Sequence, residues 1–216
     1  MRVINYLSFS SMSLFEMSPE KWVEKYIYKQ KERISRNMVY GKQLAEGMEK
    51  DEMSGDPVLD IMMVRLPRYD LADKIIEDAN GIEIVNRTDG KTYKVPFLTS
   101  GKEKIPLVAL PDSAKKDYSA FLEYKTSTRK WTQKMVDESG QIDFYATVIW
   151  LKTAKIAQDI ELIVVQTEYA ENGSLRPTGE LWRYPTKRSM INVIKTTKRM
   201  KSAWHGIQQL CESELL

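Results

Sequence analysis

The feature that most restricts the fold is a change of hydrophobic period at Gly81. Before it, apolar residues recur at steps of three and four; after it they alternate or run in short blocks. A chain that passes from helical to strand period and back has to stack helices on a sheet, because each element hides only one apolar face. With 216 residues, 42% apolar and 29% charged, the chain is large enough for one sizeable core and short for two. The expectation is a single α/β domain, 1–216, with a mixed central sheet flanked by helices. It divides into N-terminal helices (1–66), a central core (81–168) and a basic C-terminal strand and helix (176–216).

Local signals place the elements. Ser18 can cap a helix whose first position is Pro19, with Trp22, Val23, Tyr26 and Ile27 at helical spacing. A second helix is expected over 34–50, where Gly41, Leu44, Ala45 and Met48 form one stripe with Glu49 on its border, and the glycine permits close approach to a neighbour. A third covers 56–66 and stops at Pro67. Strands are expected at 82–85, 92–98, 105–110 and 120–125, with Asp89-Gly90 as a hairpin turn. A helix over 134–151 presents Ile142, Tyr145, Ala146 and Ile149 on one face, and a strand follows at 160–166. After a turn at Asn172-Gly173 and a strand around 181–184, Thr186 is expected to cap a long last helix carrying Met190, Val193, Met200, Trp204 and Ile207.

Composition removes several chemistries. No apolar run reaches the roughly 18 residues of a membrane span, and the start has no signal-peptide pattern, so a cytoplasmic home is expected. The single Cys211 excludes an internal disulfide and cannot by itself hold a zinc ion or an iron–sulfur cluster. The single His205, without a nucleophile elbow, argues against Ser-His-Asp chemistry. Any metal would therefore be held by oxygen. The net charge of +3 is unevenly spread: between Arg176 and Lys201 stand Arg183, Lys187, Arg188, Lys195, Lys198 and Arg199, against the single acid Glu180. Trp182, Tyr184 and Trp204 interleave with this run, a mixture that suits a phosphate backbone with stacked bases, although a solvated helix face has the same composition.

The chemistry-bearing stretch is Pro111-Asp112, ten residues, then Glu123-Tyr124-Lys125. If 105–110 and 120–125 are neighbouring strands, Asp112 ends one and Glu123 lies within the next, so two carboxylates converge. Residues two apart on a strand share a face, which puts Lys125 beside Glu123. Such a face can hold a hard divalent cation, with the Tyr124 carbonyl as a further oxygen, while the lysine orients or deprotonates a water. A surface hairpin with a cross-strand ion pair would give the same bare spacing.

The surrounding residues resemble the RecB-like branch of the PD-(D/E)XK nucleases over nearly the whole chain. Leu7-Ser8-Phe9-Ser10 and Ser18-Pro19-Glu20-Lys21-Trp22 look like the family's opening helix and its C-P-x-x-W/F turn, with serine in place of cysteine. Gly41 to Glu49 is similar to its G-x-x-x-H-x-x-x-E helix, with Glu49 on the acidic position and Ala45 where relatives carry a metal-binding histidine. Phe121-Leu122-Glu123-Tyr124-Lys125-Thr126-Ser127 matches the central strand, and Gln141 with Tyr145 matches the Q-x-x-x-Y motif of the following helix.

The resemblance implies a restriction-endonuclease-like core and Mg²⁺-dependent hydrolysis of DNA, with Mn²⁺ as a substitute and no iron–sulfur cluster. It makes Asp112, Glu123, Tyr124 and Glu49 metal ligands, with Asp112, Glu123, Lys125 and Glu49 the catalytic set. It also places Gln141 and Tyr145 against the nucleic acid. Trp131 could stack a base or anchor its loop, and Lys195, Lys198, Arg199 and Lys201 would track the backbone. An exonuclease of DNA ends in phage or bacterial recombination or repair is the leading expectation. A structure-specific or restriction-like endonuclease and a non-catalytic DNA-binding or assembly protein are the alternatives. A homo-oligomer or a recombination-protein partner is left open.

Overall fold

The computed structural model describes residues 4–30, 36–50, 52–69, 71–72, 75–86 and 89–214, and leaves the side chains of 36, 37, 49, 71 and 72 undescribed. Four helices open the chain: α1 (Phe9–Met17), α2 (Pro19–Tyr26), α3 (Arg36–Lys50) and α4 (Pro57–Arg65). Ser8 and Ser18 cap the first two, each accepting a backbone N–H with its hydroxyl, and Pro19 occupies the first turn of α2 as expected. Asp56 caps α4 by accepting from Val58 and Leu59.

A short strand, β1 (Leu71–Ala72), is followed by two hairpins, β2 (Ile82–Val85) with β3 (Thr92–Val95) and β4 (Phe97–Ser100) with β5 (Glu103–Pro106). The central sheet continues with β6 (Ser113–Ala114) and β7 (Ala120–Ser127). The chain then crosses through α5 (Gln133–Asp137) and α6 (Gly140–Thr153) to β8 (Asp159–Tyr169), β9 (Leu175–Thr186) and α7 (Met190–Glu214). The sheet order is β1–β6–β7–β8–β9, with β7 and β8 parallel and the other pairs antiparallel. It is the mixed sheet between helices that the period change predicts; the parallel pair needs the α5–α6 crossover.

Alternation along β7 assigns its two faces. Leu122 and Tyr124 pack with Tyr40 and Leu44 of α3, Leu59 and Met62 of α4, and Ile163 and Val165 of β8. Phe121 points the other way, into the core built by Met12, Trp22, Ile142, Phe144, Met200 and Trp204. Glu123 and Lys125 share the Phe121 face, which is the α6 side. Gly41 lets α3 approach β7 closely: a methyl group there would lie 3.3 Å from the Thr126 hydroxyl.

Four local expectations are corrected. Residues 92–98 are not one strand, because Pro96 has no N–H to continue a ladder and divides β3 from β4. The strand expected over 105–110 ends at Pro106 and pairs with β4; the antiparallel neighbour of β7 is the separate two-residue β6. The helix over 134–151 is broken at Glu138–Ser139, where Ser139 caps α6 by accepting from Ile142. Thr186 closes β9 and caps nothing, since its hydroxyl donates to Asp137 and accepts from Arg188. Among the described residues no helix is long and apolar enough to cross a membrane.

Candidate active site

The site grows from the early end of β6. Its pairing with β7 begins at Ser113↔Leu122, so the β6 ladder stops before it reaches the Tyr124 N–H on that edge of β7. The Asp112 carboxylate takes its place, with Oδ2 accepting from the Tyr124 N–H at 2.6 Å. In an antiparallel strand the N–H and C=O of one residue face the same edge, which turns the Tyr124 carbonyl toward Asp112. The Tyr124 ring lies on the opposite face, its hydroxyl donating to the Pro67 carbonyl at 2.5 Å.

Glu123 is 2% exposed. Its Oε1 accepts from Lys125 Nζ at 2.5 Å and from Gln141 Nε2 at 2.6 Å. The Gln141 amide also lies 2.9 Å from the Tyr145 hydroxyl, so the two residues four apart on α6 meet over the carboxylate. Glu123 Oε2 is buried and has no hydrogen-bond partner among the described residues. A buried carboxylate oxygen in that state is costly unless a proton or a cation meets it.

The electrostatics follow from this geometry. Burial, then the neighbouring Asp112 charge, pushes the Glu123 carboxyl up from its ordinary 4.5 to about 8, against the opposing pull of Lys125. Burial raises Asp112 as well, despite the Tyr124 N–H and Lys125. Burial alone would lower Lys125, but the attraction and hydrogen bond of Glu123 outweigh it and the ammonium form is favoured. Tyr145 is raised well above its ordinary value by burial and by the Glu123 charge. Two carboxylates thus face one ammonium, a cluster short of positive charge.

The donor set suits a hard divalent cation: Asp112 and Glu123 Oε2 offer carboxylate oxygens, with a backbone carbonyl on the same edge. Among the described residues no third Asp, Glu, His or Cys joins the pair. Glu49 lies on α3, but its side chain is outside the described residues.

The other expected residues are more scattered. Trp131 is half-buried against Val136, Leu162 and Val164, beside Trp182 and Tyr184, and its carbonyl accepts from the Tyr184 hydroxyl at 2.7 Å. That packing is an anchor for the loop after β7. Lys195, Lys198, Arg199 and Lys201 lie on α7, whose buried residues Met200, Trp204 and Ile207 join the main core; no described contact joins the four to the carboxylates.

The arginines of the basic run are engaged. Arg176 pairs with Glu168, Arg183 with Glu161, Arg188 with Asp143 and Arg199 with Glu16. Trp204, expected to interleave with the run, is fully buried and donates to Glu103 at 2.9 Å, so it cannot stack a base. His205 meets Ser100 at 2.9 Å and takes no part in the site. Sequence reasoning missed the buried Asp143–Arg188 pair. The only signal was an acid in the first turn of a helix, which the helix dipole alone explains.

No family model matches the chain, and no curated protein matches it. Among solved structures, the chain is similar to LHK-Exo, an alkaline exonuclease from Laribacter hongkongensis, with TM-score 0.45 and 9% identity over 96% of this chain and 90% of that one. LHK-Exo in complex with dAMP gives TM-score 0.48 and 10% identity over 98% and 92%. A third, SSO0001, gives 0.41 and 11% over 94% and 78%. At this level of likeness the chemistry has to be taken from the chain's own side chains.

Proposed function

We propose that the protein is a metal-dependent nuclease that hydrolyses DNA phosphodiester bonds, with Asp112, Glu123 and Lys125 at its centre. The observation that carries this reading is the incomplete satisfaction of Glu123: one oxygen is held by Lys125 and Gln141, the other is buried without a donor among the described residues, and a second carboxylate adjoins it. Asp112, Glu123 and the Tyr124 carbonyl would hold Mg²⁺, with Mn²⁺ as a substitute, and Glu49 would add a ligand from α3. Such an ion, when bound, supplies polarisation of a non-bridging phosphate oxygen and a more acidic water.

The chain's own groups do the rest. Asp112 is aimed by the Tyr124 N–H, and Gln141 occupies Glu123 Oε1, leaving Oε2 for the cation. Lys125, on the same strand face, orients the attacking water beside the scissile phosphate. Tyr145, Gln141 and Trp131 lie on the α6 side of β7 and in its following loop, where the DNA strand would pass, and Lys195, Lys198 and Lys201 would attract the backbone further out.

The resemblance of the motifs supports an exonuclease acting on DNA ends in recombination or repair. Incubation with end-labelled linear and closed circular DNA, with and without Mg²⁺, tests it. Release of nucleotides from linear DNA only, and only with metal, is expected. Cutting of closed circles would make the protein an endonuclease, and metal-independent retention of DNA without cleavage would make it a binding protein.

A further inference from the structure

Arg188 is the most deeply placed cation of the basic run, its side chain only 1% exposed. Its Nε donates to Asp143 Oδ1, its Nη1 to the Thr186 hydroxyl at 2.6 Å and the Lys187 carbonyl at 3.1 Å, and its Nη2 to the carbonyls of Val136 at 2.9 Å and Ser139 at 3.4 Å. A guanidinium has five N–H donors, and here five acceptors meet it. They come from the end of β9, the last turn of α5, the elbow between α5 and α6, and the first turn of α6.

The elbow leads directly into the active site. Ser139, held by Arg188 through its carbonyl, caps α6 through its side chain. Gln141 is the second residue of that helix, and its amide reaches Glu123 Oε1 at 2.6 Å. Asp143, on the same turn, carries the paired carboxylate. The first turn of α6 is therefore gripped on both sides of Gln141, at 139 and 143, by one planar cation. A lysine, with a single point of charge, cannot span these acceptors.

We propose that Arg188, with Asp143, is a positioning residue of the active site: it fixes the first turn of α6 so that the Gln141 amide holds Glu123 Oε1 and leaves Oε2 presented to the cation. This rests on the nuclease reading of the Asp112–Glu123–Lys125 cluster. A residue that served only the fold would affect stability without acting through Gln141.

A double-mutant cycle separates the two roles. Arg188→Lys, Gln141→Ala and the double variant are compared for kcat and KM on end-labelled linear DNA and for Mn²⁺ affinity by calorimetry. Arg188→Lys should lower kcat by about ten- to a hundredfold, as misplacement of a catalytic group does, and weaken Mn²⁺ binding, with KM for DNA unchanged. In the Gln141→Ala background it should have less than about a twofold further effect on either quantity, the two changes being fully coupled. Ile207→Ala, which opens a cavity in the α7 core, should lower the melting temperature while leaving kcat unchanged below it.

Independent losses from Arg188→Lys and Gln141→Ala would overturn the proposal, as would an equal loss of kcat in Ile207→Ala. If Arg188→Lys does not fold, the near-isosteric Asp143→Asn runs the same cycle: coupling to Gln141→Ala supports the proposal and independence overturns it. If the wild-type protein cuts no DNA, the nuclease reading fails, and the Mn²⁺ cycle alone decides this proposal: coupled losses support it and independent losses overturn it.

Discussion

Two buried charge clusters flank the first turn of α6, and they are built in opposite ways. Around Arg188 one cation faces one carboxylate, and the remaining guanidinium donors end on neutral oxygens. Around Glu123, among the described residues, two carboxylates face one ammonium, one carboxylate oxygen lacks a donor, and the carboxyl is pushed up to about 8 by burial and by Asp112. Both desolvate charge, so burial is not what separates them. Balance is: the first cluster is finished by the polypeptide, and the second is finished only by a proton or a cation. A fold can keep such a deficit where it serves chemistry.

The largest expected effect comes from removing Lys125, the one described cation on the unbalanced side. Lys125→Ala should lower DNA hydrolysis by about 10²- to 10⁴-fold, the range for loss of a group acting on the water, while leaving DNA retention nearly unchanged. Single-turnover assays with saturating enzyme measure it, and wild-type turnover in the variant would remove Lys125 from the reaction. Asp112→Ala and Glu123→Ala should be equally inactive and should also weaken Mn²⁺ binding in calorimetry. Unchanged affinity in both would put the metal elsewhere.

The next effect concerns stability, and the two clusters should answer with opposite signs. Asp143→Asn strips the partner from a buried arginine but keeps an acceptor, so it should cost about 2–3 kcal/mol, somewhat under the usual loss from a broken buried pair. Glu123→Gln should instead stabilise the metal-free protein. The folded carboxyl keeps its proton up to about 8, against an ordinary 4.5, so its stability contribution is full below 4.5 and falls as pH rises to about 8. Glutamine escapes that loss. Its advantage should widen by up to about 1.4 kcal/mol per pH unit across the window and stay level above it. Added Mg²⁺ should reverse the order, since it stabilises only the chain that binds it. Thermal melts at pH 5, 7 and 9 check this, and a destabilised Glu123→Gln at pH 9 without metal would contradict the reading of the site.

The contrast between the clusters also explains what could be read from the sequence. Glu123 and Lys125 were legible because strand period puts residues two apart on one face, and Gln141 with Tyr145 because helix period does the same at four. Asp112 was placed correctly beside Glu123, but on the wrong strand: Pro106 ends β5, and the two-residue β6 is too short to announce itself by periodicity. The layered order was legible at the period change, whereas the breaks at Pro96 and Ser139 needed turn chemistry to outweigh an apolar pattern that runs on. Arg188 could not be found, since it is one of eight basic residues in a run and only tertiary contacts bury it. Trp204 misled for the same reason: an aromatic among lysines reads as a stacking surface until the helix is packed.

A smaller effect is expected from the choice of metal, and its origin is the departure at Ala45. A histidine at this position would add a nitrogen ligand, which favours softer first-row ions. Asp112, Glu123 Oε2 and the Tyr124 carbonyl offer only oxygen, a set that Mg²⁺ accepts while keeping several waters. Mg²⁺ alone should support cleavage at millimolar concentration, with Mn²⁺ within about tenfold and Ca²⁺ poor because its looser geometry places water badly. Activity of the metal-stripped protein with Mn²⁺ but not across millimolar Mg²⁺ would imply a nitrogen donor. His205, the chain's single histidine, already meets Ser100 outside the site.

The smallest effect belongs to the C-terminal helix, where ion pairing divides residues that the sequence groups together. Arg199 donates twice to Glu16 of α1, at 3.1 and 2.7 Å, so most of its charge is answered within the protein. Lys195 and Lys198 are exposed on the outer side of α7 and Lys201 is half-buried, and they would carry any long-range attraction for DNA. Each lysine that meets a phosphate steepens the slope of log affinity against log salt by about 0.9. Replacing all three with alanine should flatten that slope measurably while leaving single-turnover cleavage at saturating enzyme unchanged, because they do not reach the carboxylates. Arg199→Ala should leave the slope almost as it is and lower the melting temperature slightly through loss of the α1 contact, within the about 1 kcal/mol typical of a partly exposed pair. Filter binding at a series of salt concentrations distinguishes the two variants. A larger slope change from Arg199→Ala than from the triple lysine variant would mean that the Glu16 pair opens on DNA, and an unchanged slope in both would make α7 a solvated face.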